Sequence, residues 1–308
     1  MRIVKVLLLF LICFSAVIAL IIFFFITSIK EKDGGQIINP IINSMSKSSQ
    51  QVLSLFTKGV DQQIANSVAQ SNGIYSVVVI DLKNNQTYSL NPDQTYNSAS
   101  LYKLWVMAAT FQAIEDGKIS KTDVISDSIE NLNKSFKIAS DEAELKSGII
   151  KTTVGNALEK TITISDNYSA LLLTKKLGLP TINLFLKKEQ FTHSKTSILP
   201  LTSASDIALF YFKLYNHQLV NYESSSEMIE LLKRQEINDR IPKYLPKNIS
   251  IAHKTGELGT VKHDAGIVFT PMGDFILVML SNTDDPKIAA EKMAKLSQQI
   301  YLDFTSSH

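Results

Sequence analysis

Apolar and polar positions divide the chain into distinct stretches. Val6 to Ile29 is a run of 24 residues without a charge. From Met45 to Gln70, apolar residues recur at helical spacing (Val52, Leu55, Phe56, Val60, Ile64, Val68), and the pattern ends near Gly73. Tyr75–Asp81 (YSVVVID) reads as a buried strand, and a turn at Asn84-Asn85 leads to a hairpin partner at Gln86–Leu90. The middle, Ala99 to Leu232, is mostly helical in pattern. Strands return at Ile249–Thr255, Val261–Phe269 and Phe275–Ser281, followed by a helix at Pro286–Phe304. Strands at both ends with helices between them predict an α/β (α+β) fold, with one sheet built from both chain ends and a helical insertion. The expected organisation is an anchor over 1–30, a stalk over 31–45 and a folded domain over 46–308. Within that domain the sheet part is 46–98 and 233–308, and the helical part is 99–232.

At about 1.5 Å per residue the apolar run is long enough for a bilayer. A cleaved leader has a shorter apolar region that ends in small residues, whereas Phe23-Phe24-Phe25-Ile26 stands here. An uncleaved membrane anchor is therefore expected. Arg2 and Lys5 before the run place the following domain outside the cell membrane, with secretion after cleavage as the alternative. The chain carries 31 Lys and Arg against 29 Asp and Glu; without Arg2, Lys5 and Lys30 the balance is 28 to 29. So neutral a remainder argues against nucleic acid as a partner. Cys13 is the sole cysteine and sits in the apolar run, which leaves the rest of the chain without disulfide, thiol nucleophile or thiolate ligand.

Three short constellations carry candidate chemistry. Ser100-Leu101-Tyr102-Lys103 opens a helix, Ser100–Asp116, that is apolar nearly all round and stops at Gly117. Residues three apart share a helix face, so Lys103 is expected to reach the Ser100 hydroxyl. A lysine desolvated in an apolar wall can act as the base a serine nucleophile needs. Ser165-Asp166-Asn167 precedes a helical run to Leu177, and taken alone it reads as a helix cap. Lys254-Thr255-Gly256 lies on a strand. There a Lys and a Thr can hold a carboxylate, and a Gly lets another backbone come close.

In this order, S-x-x-K, S-D-N and K-T-G are the signature of class A β-lactamases and penicillin-binding proteins. The chain resembles that superfamily of serine hydrolases, and the class A β-lactamases in particular, from about Leu53 to Phe304. The resemblance implies a β-lactamase/transpeptidase-like fold with an antiparallel sheet of about five strands. It implies Ser100 as nucleophile, Lys103 as base or relay, and Ser165 as proton donor to the leaving nitrogen. Asn167 would bind the substrate's amide carbonyl, and Lys254 and Thr255, with Gly256 beside them, its carboxylate. The backbone N–H groups of Ser100 and Glu257 would form the oxyanion hole. A β-lactam or a peptidoglycan stem peptide is the implied ligand, with no cofactor or metal, and a monomer is expected.

One departure stands out. The family's deacylating Glu, in an E-x-x-L-N pattern, has no counterpart. Glu189 is the sole acid between Asp166 and Asp206, and Thr192 and His193 follow it at the third and fourth positions. Glu189 is read as a solvated acid on the helix Thr181–Phe191, and the loop Thr192–Leu201 as truncated. A D,D-peptidase that β-lactams inhibit is therefore the alternative to a β-lactamase. His253 and His263 are candidates for lining the cleft and tuning Lys254, and Arg240 for assisting carboxylate binding. Tyr102 and Trp105 are read as core.

Overall fold

In the computed structural model, residues 59–69 and 71–306 are described. The apolar run Val6–Ile29, the stalk and the first part of the 45–70 helix lie outside them. None of the described helices is long and apolar enough to cross a membrane.

A helix over 59–68 (α1) precedes the strands Ile74–Asp81 (β1), Gln86–Leu90 (β2) and Thr95–Asn97 (β3). The inserted part holds α2 (Tyr102–Glu115), β4 (Val124–Ser128), α3 (Ile129–Phe136), β5 (Ile149–Thr153) and α4 (Val154–Thr163). It continues with α5 (Asn167–Leu177), α6 (Leu179–Lys188), β6 (Leu201–Ser203), α7 (Ala204–Tyr215) and α8 (Tyr222–Lys233). The strands β7 (Ser250–Leu258), β8 (Val261–Phe269) and β9 (Phe275–Asn282) and the helix α9 (Pro286–Ser306) close the chain. The main sheet is five-stranded and antiparallel in the order β2-β1-β9-β8-β7, so both chain ends build it, as the pattern predicts.

Period-two alternation sorts the strand side chains onto two faces. Val77, Val79, Leu277 and Met279 face Ile64 of α1 and Met293, Leu296 and Ile300 of α9. Val78, Ile80, Ile276, Val278 and Leu280 join the larger core of the helical layer. At its centre α2 buries Leu104, Trp105, Val106, Met107, Ala108 and Phe111, the burial expected of a helix apolar all round. Trp105 stacks at 4.8 Å from Phe191 and 5.3 Å from Phe210.

Helix starts follow their caps. Thr153, Asp166, Ser203 and Asn221 each accept a backbone N–H at the head of α4, α5, α7 and α8. The short pairs β3–β6 and β4–β5 are absent from the sequence reading. β3 and β6 have three residues each, and β4 and β5 bury almost nothing, so neither pair leaves an apolar alternation.

Candidate active site

Ser100 sits in a 3-10 turn, Ala99–Leu101, rather than on the first turn of an α-helix; α2 begins at Tyr102. Several ties fix this turn. Ala99 N–H donates to Asn97 Oδ1 at 2.9 Å, and Ser98 N–H donates to Pro200 O at 2.8 Å. His263 Nε2 lies 2.8 Å from Asn97 O. A carbonyl only accepts, so that nitrogen carries the proton. Ala99 has φ 44°, a left-handed conformation that is costly outside glycine and marks a constrained site. β7 packs directly on the turn at Gly256, where a Cβ would stand 3.1 Å from Ser98 O and 3.2 Å from Leu101 Cγ. The Gly of the K-T-G stretch thus permits the close approach that brings Lys254 beside Ser100's turn.

Ser165 is the junction of the site. Its φ of 58° is also left-handed. Its Oγ lies 3.1 Å from Lys103 Nζ and 2.9 Å from Lys254 Nζ. Lys103 also donates to Ser165 O at 2.5 Å and to Asn167 Oδ1 at 2.7 Å. Its bonds therefore go to the Ser165–Asn167 segment and not to the Ser100 hydroxyl expected from the i, i+3 spacing. Both lysines are fully buried. Burial drops the Lys103 ammonium to about 8, against the opposing pull of Asp166 and Glu144. Burial, and then the like charge of Lys103, hold Lys254 well below the ordinary lysine value. Two desolvated ammonium groups sharing one hydroxyl disfavour each other's charge, so one of them readily gives up its proton.

Two cavities meet at Ser100, Asn167 and Glu257. The smaller, about 250 Å³, is lined by Ser165, Thr255 and Arg240 as well. The larger, about 640 Å³, runs past Tyr102, Phe136 and Glu144 to the short loop at Ser197, Ile198 and Leu199. Tyr102 lines the larger cavity and also packs, half-buried, against the core, while Trp105 is fully core. Arg240, unplaceable in sequence, lies against the small cavity with its side chain 1 % exposed. Its Nη2 donates to Glu257 Oε2 at 2.6 Å. Nη1 is 3.4 Å from Asp239 Oδ1 without hydrogen-bond alignment, and neither Nη1 nor Nε has a hydrogen-bond partner among the described residues. Glu257 also takes a short bond from Lys262. Partial burial pushes its carboxyl up, but Lys262 and Arg240 outweigh that and hold it below the ordinary range.

Sequence reasoning missed Glu144. Its Oε1 accepts from Asn167 Nδ2 at 2.5 Å, from an irregular loop that no motif marks. Glu189 lines neither cavity. It is the C-cap of α6 and pairs with Lys213 at 3.0 Å, its side chain 12 % exposed, so it is a half-buried ion-pair partner rather than a solvated acid. The loop Thr192–Leu201 is short and acid-free, as read. Asp166 caps α5 through Ser169 N–H at 2.6 Å. His253 and His263 are buried behind β7 and line neither cavity, because their faces of β7 and β8 turn toward Asp264, Asn238 and Asn97. Burial lowers His263 to about 4, so it is neutral at pH 7.

A family model described as the beta-lactamase enzyme family matches residues 59–304. The chain belongs to the beta-lactamase enzyme family. It is a serine hydrolase of that kind. Beta-lactamase VEB-1 of Pseudomonas aeruginosa is 23 % identical over 277 residues, which cover 80 % of this chain and 92 % of that protein. Among solved structures, a beta-lactamase from Sphaerobacter thermophilus is 23 % identical with a TM-score of 0.71, covering 82 % of this chain and 98 % of that one. PBP-A is 21 % identical with a TM-score of 0.70, covering 82 % and 97 %. These likenesses establish the β-lactamase/transpeptidase-like fold.

Proposed function

We propose that the protein is acylated on Ser100 by β-lactams and hydrolyses the resulting ester. One observation carries the reading: a single hydroxyl, Ser165 Oγ, is shared by two buried lysines on the cavity that also holds Ser100. In the proposed reaction Ser100 Oγ attacks the lactam carbonyl carbon while its proton passes to neutral Lys103. The backbone N–H groups of Ser100 and Glu257 hold the oxyanion. As the C–N bond breaks, Ser165 gives its proton to the leaving nitrogen and is reprotonated from the lysine pair. Asn167 Nδ2 takes the substrate's amide carbonyl in place of Glu144, and Lys254, Thr255 and Arg240 face its carboxylate. No cofactor enters this chemistry. The chain acts as a monomer, and the Val6–Ile29 run supports tethering it to a bilayer with the hydrolase domain outside the cytoplasm.

The position of Glu189 favours a second reading. With that acid turned to Lys213 and the short loop acid-free, no residue from this segment activates a deacylating water. A D,D-peptidase acting on peptidoglycan stem peptides, with β-lactams as slow inhibitors, is the alternative. A mutant of PBP-A has been solved as an acyl-enzyme with penicillin G. Intact-mass measurement after mixing with benzylpenicillin tests both readings. Turnover within seconds supports the lactamase, and an adduct lasting hours supports the peptidase. No adduct and no turnover would refute acylation altogether. Glu189→Gln should leave the adduct lifetime within about two-fold, because Glu189 lines neither cavity.

The environment of Lys103 sets a pH dependence. Its base form is needed for acylation, so the rate should rise with pH through about 8. Glu144 pulls that value up. In Glu144→Gln the rising limb should therefore move to lower pH, and acylation at pH 6.5 should gain relative to the parent. A limb that stays or moves upward would contradict the assignment.

A further inference from the structure

We infer that His253 carries a proton on both ring nitrogens, and that its buried ion pair with Asp264 holds one wall of the smaller cavity in place from behind β7. That wall is irregular backbone. Residues 235–241, between α8 and β7, belong to no helix or strand, yet Ile237 and Arg240 line the cavity beside Ser100 and Ser165. Without a ladder, such a stretch depends on side chains to hold its polar groups. Gln235 ties its start to Ile162 O at 2.7 Å, and Ser297 Oγ donates to Ile241 O at 2.9 Å. The other two ties come from the pair. Asp264 Oδ2 accepts Ile241 N–H at 3.0 Å, and His253 Nε2 lies 3.1 Å from Asn238 Oδ1. These two bonds bracket Asp239 and Arg240 in the chain.

The ring of His253 meets an acceptor on each side. Nδ1 lies 2.9 Å from Asp264 Oδ1. The amide of Asn238 is oriented by its Nδ2, which donates to Gln235 O and Glu236 O at 3.3 Å each, so the atom turned to His253 is the oxygen. An amide oxygen and a carboxylate only accept, so both ring nitrogens must donate. A neutral ring beside a protonated Asp264 would use the same number of protons. The ion pair is favoured over it because Lys254 is close enough to be attracted by the Asp264 charge, and because Oδ2 already accepts a backbone N–H. His263 shows the contrast. There Ser281 N–H donates to Nδ1 at 3.2 Å, so that nitrogen is bare.

The pair is built into the sheet. The side chain of His253 is 1 % exposed and that of Asp264 is fully buried. Gly266 lies opposite His253 in the β7–β8 ladder, and a Cβ there would stand 2.5 Å from His253 Cβ, so only glycine leaves the ring its place. Charge-assisted bonds in so dry a setting are strong and directional. A ring without its Nε2 proton would set two lone pairs against each other at Asn238. One without its Nδ1 proton would do the same at Asp264. Only the imidazolium satisfies both. Neither residue lines a cavity, so both are positioning residues that act through the 238–241 segment. Their effect on acylation rests on the proposed acylation reading, whereas the two ring protons do not.

The test has two readouts on the full chain. The first is the nitrogen spectrum of histidine-labelled protein at pH 7, with the His253 signals assigned by their loss in His253→Gln. Both nitrogens of His253 should be protonated in the parent. In Asp264→Asn the counter-charge is gone, and one nitrogen should become bare. A bare nitrogen in the parent overturns the inference. The second readout is acylation by benzylpenicillin in His253→Phe, which keeps a ring in the space and removes both donors. The half-saturating concentration should rise on the order of ten-fold, with the limiting rate within about two-fold, because the wall shifts while Ser100, Lys103 and Ser165 are untouched. A lower thermal midpoint with unchanged half-saturation would make the pair a purely structural feature and overturn the positioning role. If His253→Phe does not fold, Asp264→Asn carries the same measurement with the same expected rise. Absence of any adduct in the parent overturns the acylation reading and the kinetic effect with it, while the spectrum still decides the two ring protons.

Discussion

Ser100→Ala should lose covalent capture of benzylpenicillin, with adduct formation falling by at least about 10³-fold, the order seen when a nucleophile is deleted. The cavity offers no ready substitute. The sole thiol of the chain is Cys13, outside the described residues. Ser165 Oγ already lies within bonding distance of two lysine ammonium groups, which makes it a proton relay and a poor attacker. Folding should be nearly untouched. The bonds that fix the turn come from Ala99 N–H, Ser98 N–H and Asn97 O, and none passes through the Ser100 hydroxyl. A thermal midpoint close to the parent's, with no adduct by intact mass, is the expected pair of results. An adduct that survives the substitution would relocate the nucleophile.

The elements that position this site were legible where local pattern alone decides them. The apolar runs of β1 and β9 and the all-apolar α2 read directly from the sequence, because burial on both faces of a strand or all round a helix leaves an unbroken apolar stretch. The three short motifs were legible as a set, although Ser165 lies 62 residues from Lys103 and 89 from Lys254. Contacts between irregular segments left no such trace. Glu144 reaches Asn167 from a loop without periodicity, across 23 residues. Glu189 looked like a surface acid because Lys213, its partner, comes from a different helix. His253 and His263 were placed on the correct strands, but alternation says which residues share a face, not what that face meets. The side to which Lys103 points depended likewise on the left-handed turn at Ser165, which a serine does not announce.

That geometry reassigns the expected pairing. Lys103 is not simply the neighbour of Ser100 one turn along a helix. It is anchored to the 165–167 segment by three bonds, so the inserted part and the sheet are coupled through its ammonium and that of Lys254. The anchoring bonds fix the amine in a dry, polar niche, and dryness is what brings a lysine within reach of neutrality. Lys254 sits on the other side of the same hydroxyl and donates its remaining bond to Thr255 O at 3.0 Å.

Lys103→Met should accordingly be the second most damaging substitution, lowering acylation by about 10²- to 10⁴-fold, the range for a lost general base. The pH profile separates a base from a structural prop. With Lys103 as the base, the residual rate of Lys103→Met should lose the limb near 8, because the group that titrates there is gone. Lys254→Met makes the sharper comparison. Burial, Asp166 and Glu144 set the Lys103 value and Lys254 is not among its causes, so the limb should persist near 8. Should the limb vanish in Lys254→Met and survive in Lys103→Met, the two lysines would exchange roles: Lys254 would be the base acting through Ser165, and Lys103 the charge that holds Asn167.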